Sequence, residues 1–136
     1  MSSLNQYLEL QRQKFERMQS RRQQLLQHQQ LEQSRFEQLL EHLDALAVNG
    51  GGSALYLQNM GDIKNQMHRL CEQQQQRVME ASQEYHLQQR ACLQQASFNL
   101  GLQHMLERRA DEVKKQQQLQ EQKQLDELVC NYHSRG

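Results

Sequence analysis

The chain is 136 residues long and carries sixteen basic against sixteen acidic side chains. No net field is left to hold nucleic acid or anionic lipid. Only 36% of residues are hydrophobic, there is no tryptophan, and mean hydropathy is -1.03. Such a chain cannot fill the thick core of an ordinary globular domain, but it can fill a seam where about two residues in seven are apolar.

Disorder is the competing reading of so polar a chain. Against it stand the absence of proline and the abundance of Leu, Glu, Arg, Ala and Gln, all good helix formers; glutamine alone is about a fifth of the chain. The start, Met1-Ser2-Ser3-Leu4, lacks the basic and apolar runs of a signal peptide, and no stretch approaches membrane-spanning length. Cys71, Cys92 and Cys130 are widely spaced and odd in number, which fits a reducing cytoplasm better than a disulfide framework.

In chain order, the first element predicted is a helix over about residues 3–48, with Ser2 or Ser3 as its starting cap. Alternate steps of four and three from Leu4 meet Leu8, Gln11, Phe15, Met18, Arg22, Leu25, Gln29, Glu32, Phe36, Leu39, Leu43 and Leu46. Nine of these thirteen are apolar, which marks a coiled-coil seam with a left-handed supercoil. The polar pair Gln29 and Glu32 predicts looser packing in the middle of the arm. Leu26 and Leu40 fall outside the strict seam and are better placed to meet a partner.

The turn is predicted at 49–53, in Asn49-Gly50-Gly51-Gly52-Ser53. Three glycines in succession break a helix, and Ser53 can cap the one that follows. The second helix is predicted over about 54–132. Tyr56, Met60, Ile63, Met67 and Leu70 open it with the same alternation, and Val78, Ala81, Tyr85, Gln88 and Cys92 resume it after the glutamine run 73–76. Only a four-four step past Gln74 joins the two parts, which reads as a stutter relaxing the supercoil. The run itself reads as a solvated face rather than an aggregating tract. Gly101, inside a helix, marks either a soft spot or a close approach to a neighbour. The fold class expected is all-α: one domain over 1–136, an antiparallel two-helix coiled-coil hairpin with a longer C-terminal helix. A turn centred near Gly51 sets Leu4 opposite about residue 98, leaving roughly thirty residues, about 45 Å, of polar helix without a partner in the chain. A lone helix of that kind is marginal in water and calls for another protein around it.

Catalytic constellations are missing. The glycine run has no Lys-Ser or Lys-Thr after it, as a phosphate-binding loop requires. His68 and Cys71 lie one turn apart, but no second pair with ligand spacing accompanies them, so no metal or other cofactor is expected. Charges such as Glu112 and Lys115 read as a solvated helix face. A thin helical pair also offers no concave pocket in which pKa values could be tuned, so the chain is not expected to be an enzyme.

Resemblance narrows the use of such a hairpin. Lys123-Gln124-Leu125-Asp126-Glu127 resembles the Lys-x-x-Asp-Glu signature that closes the FliJ family of flagellar export proteins. Leu106-Glu107-Arg108-Arg109 is similar to the Leu-x-x-Arg part that precedes it there. Ile63, Met67 and Leu70 match the apolar spacing that opens that family's second helix, and the likeness runs over nearly the whole chain. The resemblance implies a non-catalytic stalk, similar to the gamma subunit of rotary ATP synthases. Its joined ends enter the ring of the export ATPase FliI, and its turn-proximal part faces the export-gate protein FlhA. FliH and export chaperones are further partners, and any membrane association runs through partners, at the inner face of the cell membrane. Carried onto this sequence, the gate-facing residues are Phe36, Leu40, Leu43, Tyr56, Met60, Ile63, Met67 and Leu70. The ring-facing residues are Arg12, Arg108, Arg109, Lys123, Asp126 and Glu127. One departure is Asn59-Met60, where family members often carry an aromatic residue. The default role of Phe36, Leu43, Ile63, Met67 and Leu70 is holding the hairpin shut. Two other readings stay open: a coiled-coil holding chaperone, and the analogous stalk of a virulence type III secretion system.

Overall fold

A computed structural model describes residues 3–48 and 53–135. Two helices make up the described chain, α1 over Ser3–Val48 (46 residues) and α2 over Ala54–Arg135 (82 residues). They pack against each other as an all-α antiparallel hairpin. The glycine turn at 49–52, and the cap expected of Ser2, lie outside the described residues. Ser53 is described, and it caps α2 as its position predicts: the Tyr56 amide donates to Ser53 Oγ at 3.3 Å and the Leu57 amide to the Ser53 carbonyl at 3.0 Å. The chain divides into two compact units, Phe15–Gln94 and Met1–Lys14 with Gln95–Gly136.

In the unit Phe15–Gln94, the α1 seam follows the four-three count. Phe15, Met18, Arg22, Leu25, Gln29, Glu32, Phe36, Leu39, Leu43 and Leu46 are all buried or half-buried. Facing them, α2 buries or half-buries Met60, Lys64, Met67, Cys71, Gln74, Val78, Ala81, Tyr85, Gln88 and Cys92. That series keeps an unbroken alternation of four and three, so the expected stutter is absent. The apolar residues Ile63 and Leu70 each stand one position ahead of the true seam and pulled the count off it. Lys64 and Cys71 occupy the seam instead. A lysine stem covers apolar surface while its ammonium stays in water, and a thiol packs as a small apolar group. Gln74, from the glutamine run, is 5% exposed and carries the seam across the gap.

The middle of this unit is not loose. Gln74 Nε2 donates to the Glu32 carbonyl at 2.9 Å and to Glu32 Oε2, and Arg35 Nη1 reaches Glu32 Oε1 at 2.9 Å. Farther along, Gln88 Nε2 donates to the Met18 carbonyl at 3.0 Å. Amide side chains thus cross the seam where leucines would ordinarily interlock. Buried apolar groups are few, Leu25, Cys71, Ala81 and Cys92 among them. Each large one contributes about 1.5–3 kcal/mol. Long glutamines that bond across the seam lose none of their hydrogen bonds to burial.

In the unit formed by residues 1–14 and 95–136, Leu8 and Leu102 are the buried apolar side chains. Gln95 Nε2 donates to Gln11 Oε1 at 2.8 Å and Asn99 Nδ2 to the Gln11 carbonyl at 3.1 Å. Tyr7 and Phe98 meet edge to face at 6.4 Å. With Tyr7 already level with Phe98, Leu4 sits beyond that residue, toward Leu102, rather than opposite residue 98. Gly101 has nothing within 4 Å of where a Cβ would stand, so no close approach explains it. From Glu107 to Arg135 every residue of α2 is exposed.

Candidate functional site: two exposed helix surfaces

The eight turn-proximal candidates all lie in the unit Phe15–Gln94, and the structure sorts them into two kinds. Phe36, Leu43, Met60 and Met67 are half-buried and belong to the seam. Leu40, Tyr56, Ile63 and Leu70 are exposed, by 39%, 39%, 43% and 47%. Tyr56, Ile63 and Leu70 are spaced seven residues apart, so they stack along one line of α2 just outside the seam. Counting from the seam explains the last two: Ile63 and Leu70 immediately precede the seam positions Lys64 and Cys71. Their place in the hairpin's closure, expected from the sequence, is therefore corrected. Leu55 and Leu57 are exposed at the same end, by 68% and 55%. Of the two residues read as lying off the seam, Leu40 is exposed and Leu26 half-buried.

The other six candidates, Arg12, Arg108, Arg109, Lys123, Asp126 and Glu127, are all exposed. Arg12 lies 4.0 Å from Glu9, one turn away on α1, an ion pair with both partners in water that holds little in place. His104 and Glu107 form a similar contact at 3.7 Å. Lys123 and Asp126 border an open depression on α2 together with Leu119. Around them the helix presents Val113, Leu119, Leu125, Leu128, Val129 and Tyr132, all at least half exposed. No element among the described residues covers these apolar side chains.

Among the described residues, a clear shift of titration lies elsewhere, at Glu32. The hydrogen bond from Gln74 is the main cause holding its carboxyl below the ordinary value of 4.5; burial opposes this, and Arg35, His28 and Arg77 add to the lowering. Reading the sequence missed this pair. The available signal was a carboxylate and an amide at seam positions on opposite arms, in a chain whose other seam residues are mostly apolar. His68 is exposed while its neighbour Cys71 is turned into the seam. No three His, Cys, Asp or Glu side chains gather as metal ligands among the described residues.

Against known proteins, a family model described as flagellar FliJ protein matches residues 1–136, the whole chain. The chain belongs to the FliJ family. No curated protein matches it. No solved structure matches it either. Membership makes it a component of the flagellar export apparatus, from a family that is non-catalytic. No helix among the described residues is long and apolar enough to cross a membrane.

Proposed function

We propose that this FliJ-family chain is the stalk of the flagellar export ATPase, promoting assembly and hydrolysis by the FliI ring and coupling it to the export gate FlhA. The observation that carries the reading is the run Glu107–Arg135, a helical segment exposed at every residue. So polar a segment stands alone poorly in water, and a surrounding ring supplies what its own chain does not. Arg108, Arg109, Lys123, Asp126 and Glu127, with Arg12 of α1, are the ring-facing groups. Charges of both signs on one helix suit a socket of mixed charge better than a purely acidic or basic one.

The gate-facing surface is the line Tyr56, Ile63 and Leu70 with Leu40 of α1. Phe36, Leu43, Met60 and Met67 support it from the seam. FliH and unloaded export chaperones are further partners, and attachment to the inner face of the cell membrane runs through these proteins. A holding chaperone would instead offer a broad apolar clasp. The exposed line Tyr56, Ile63 and Leu70 is narrow and lies on a single helix, which favours the stalk.

Hydrolysis by purified FliI tests the reading. The wild-type chain raises the rate, and Lys123→Ala, Asp126→Ala and Glu127→Ala together remove at least most of the increase without lowering the chain's helicity. Stimulation at the wild-type level by that variant would overturn the ring-facing assignment.

A further inference from the structure

We propose that the buried pair Glu32–Gln74 is a stagger lock, fixing which residues of α1 and α2 meet and rejecting parallel pairing with a second copy of the chain. The inference stands on the seam of the unit Phe15–Gln94 alone and is independent of the stalk reading.

Apolar residues do not choose a stagger here. The seam repeats every seven residues on both helices, so a slide of one heptad sets leucine, methionine, valine or alanine against similar neighbours at little loss. Glu32 is different. It is 4% exposed, and its carbonyl and carboxylate both accept from the single amide of Gln74, itself 5% exposed. A slide of seven residues either way sets Glu32 level with Met67 or Ala81, neither of which can donate. Arg35, on the same helix, would keep its bond to one carboxylate oxygen, but the other oxygen and the Glu32 carbonyl would lose the amide that crosses the seam. A buried charge left short of a donor is strongly disfavoured. Arg35, bonded to the other carboxylate oxygen at 2.9 Å, keeps the group charged and therefore demanding.

The same residue discriminates between partners. In a parallel, in-register pair of chains every seam residue meets its own copy. Arg22, Glu32 and Lys64, the charged members of the seam, would each face a like charge. The antiparallel hairpin sets Glu32 against an amide instead. One polar residue at a coiled-coil core position is known to choose register and orientation at a cost in stability, and this pair has the geometry for that role.

Distances between spin labels test it. Labels go on Gln30→Cys and Gln76→Cys, both exposed positions, with Cys71, Cys92 and Cys130 changed to Ala, and labelled chains are diluted tenfold with unlabelled ones. Wild-type Glu32 and Gln74 give one narrow distance. Glu32→Leu with Gln74→Leu adds a second, reflecting an axial slide of roughly 10 Å, seven residues at 1.5 Å each. Gln74→Met, which keeps the volume and removes the donor, also adds it, whereas Glu32→Gln retains the single distance. A chain labelled at residue 30 alone and left undiluted gives a short interchain distance only with the leucine pair. One unchanged distance in both the leucine and methionine variants, or two distances with the native pair, overturns the stagger lock. An interchain distance equally present with the native pair overturns the rejection of parallel pairing.

Discussion

Glu32 makes the stability of the hairpin depend on acid in a way that can be assigned to one side chain. Its carboxyl titrates below the ordinary 4.5 because Gln74, then Arg35, His28 and Arg77, favour the charged form more than burial disfavours it. A group depressed in the folded state stabilises that state above its unfolded value, and the contribution is lost as pH falls through the folded value. Thermal melts from about pH 6 to about pH 3 therefore show a steeper decline for the wild-type chain than for Glu32→Gln, with the difference opening as pH approaches 4.5 and growing below it. Equal slopes for the two proteins would remove the assignment. Gly101 offers a second single-residue test. Open space surrounds the position of its missing Cβ, so Gly101→Ala stabilises the chain by about 0.5–1 kcal/mol through helix propensity. A lowered melting temperature would mean that something unseen approaches the glycine.

Along the helices, exposure separates closure from contact. Tyr56, Ile63 and Leu70 form one exposed line, and changing all three to serine leaves the melting temperature within a few degrees of wild type, because exposed sites each contribute within about 0.5 kcal/mol. Phe36→Ala and Leu43→Ala remove half-buried seam groups and each costs about 1–3 kcal/mol. Denaturation monitored by helicity distinguishes the two groups, and an equal loss from both would return the line to the seam. The α1 seam was legible in the sequence because leucine, phenylalanine and methionine occupy most of its positions. On α2 the count went astray at Ile63 and Leu70, whose apolar side chains outweighed the correct neighbours Lys64 and Cys71. Periodicity reads hydrophobicity, and hydrophobicity is silent about a lysine stem or an amide that satisfies itself across the seam. The Glu32–Gln74 pair escaped for the same reason: it depends on two polar residues 42 positions apart being level. Ser53, by contrast, was legible as a cap, since its hydroxyl acts on amides three positions away and needs no tertiary knowledge.

At the scale of the molecule, the chain has zero net formal charge and few buried apolar groups among its described residues. Membership of the FliJ family places it among flagellar export components, and two exposed surfaces are available for its neighbours. The line Tyr56–Ile63–Leu70 belongs to one compact unit and the run Glu107–Arg135 to the other. A stalk that couples two machines has to hold both at once, so the decisive experiment is retention of the FlhA cytoplasmic domain on immobilised FliI as the chain is added. The gate domain is retained with the wild-type chain. It is lost when Tyr56, Ile63 and Leu70 are serine, though that variant still binds FliI, and lost when Lys123, Asp126 and Glu127 are alanine, though that variant still binds the gate domain. Retention of the gate domain without the chain, or equally with both variants, would contradict a coupling stalk built on these residues.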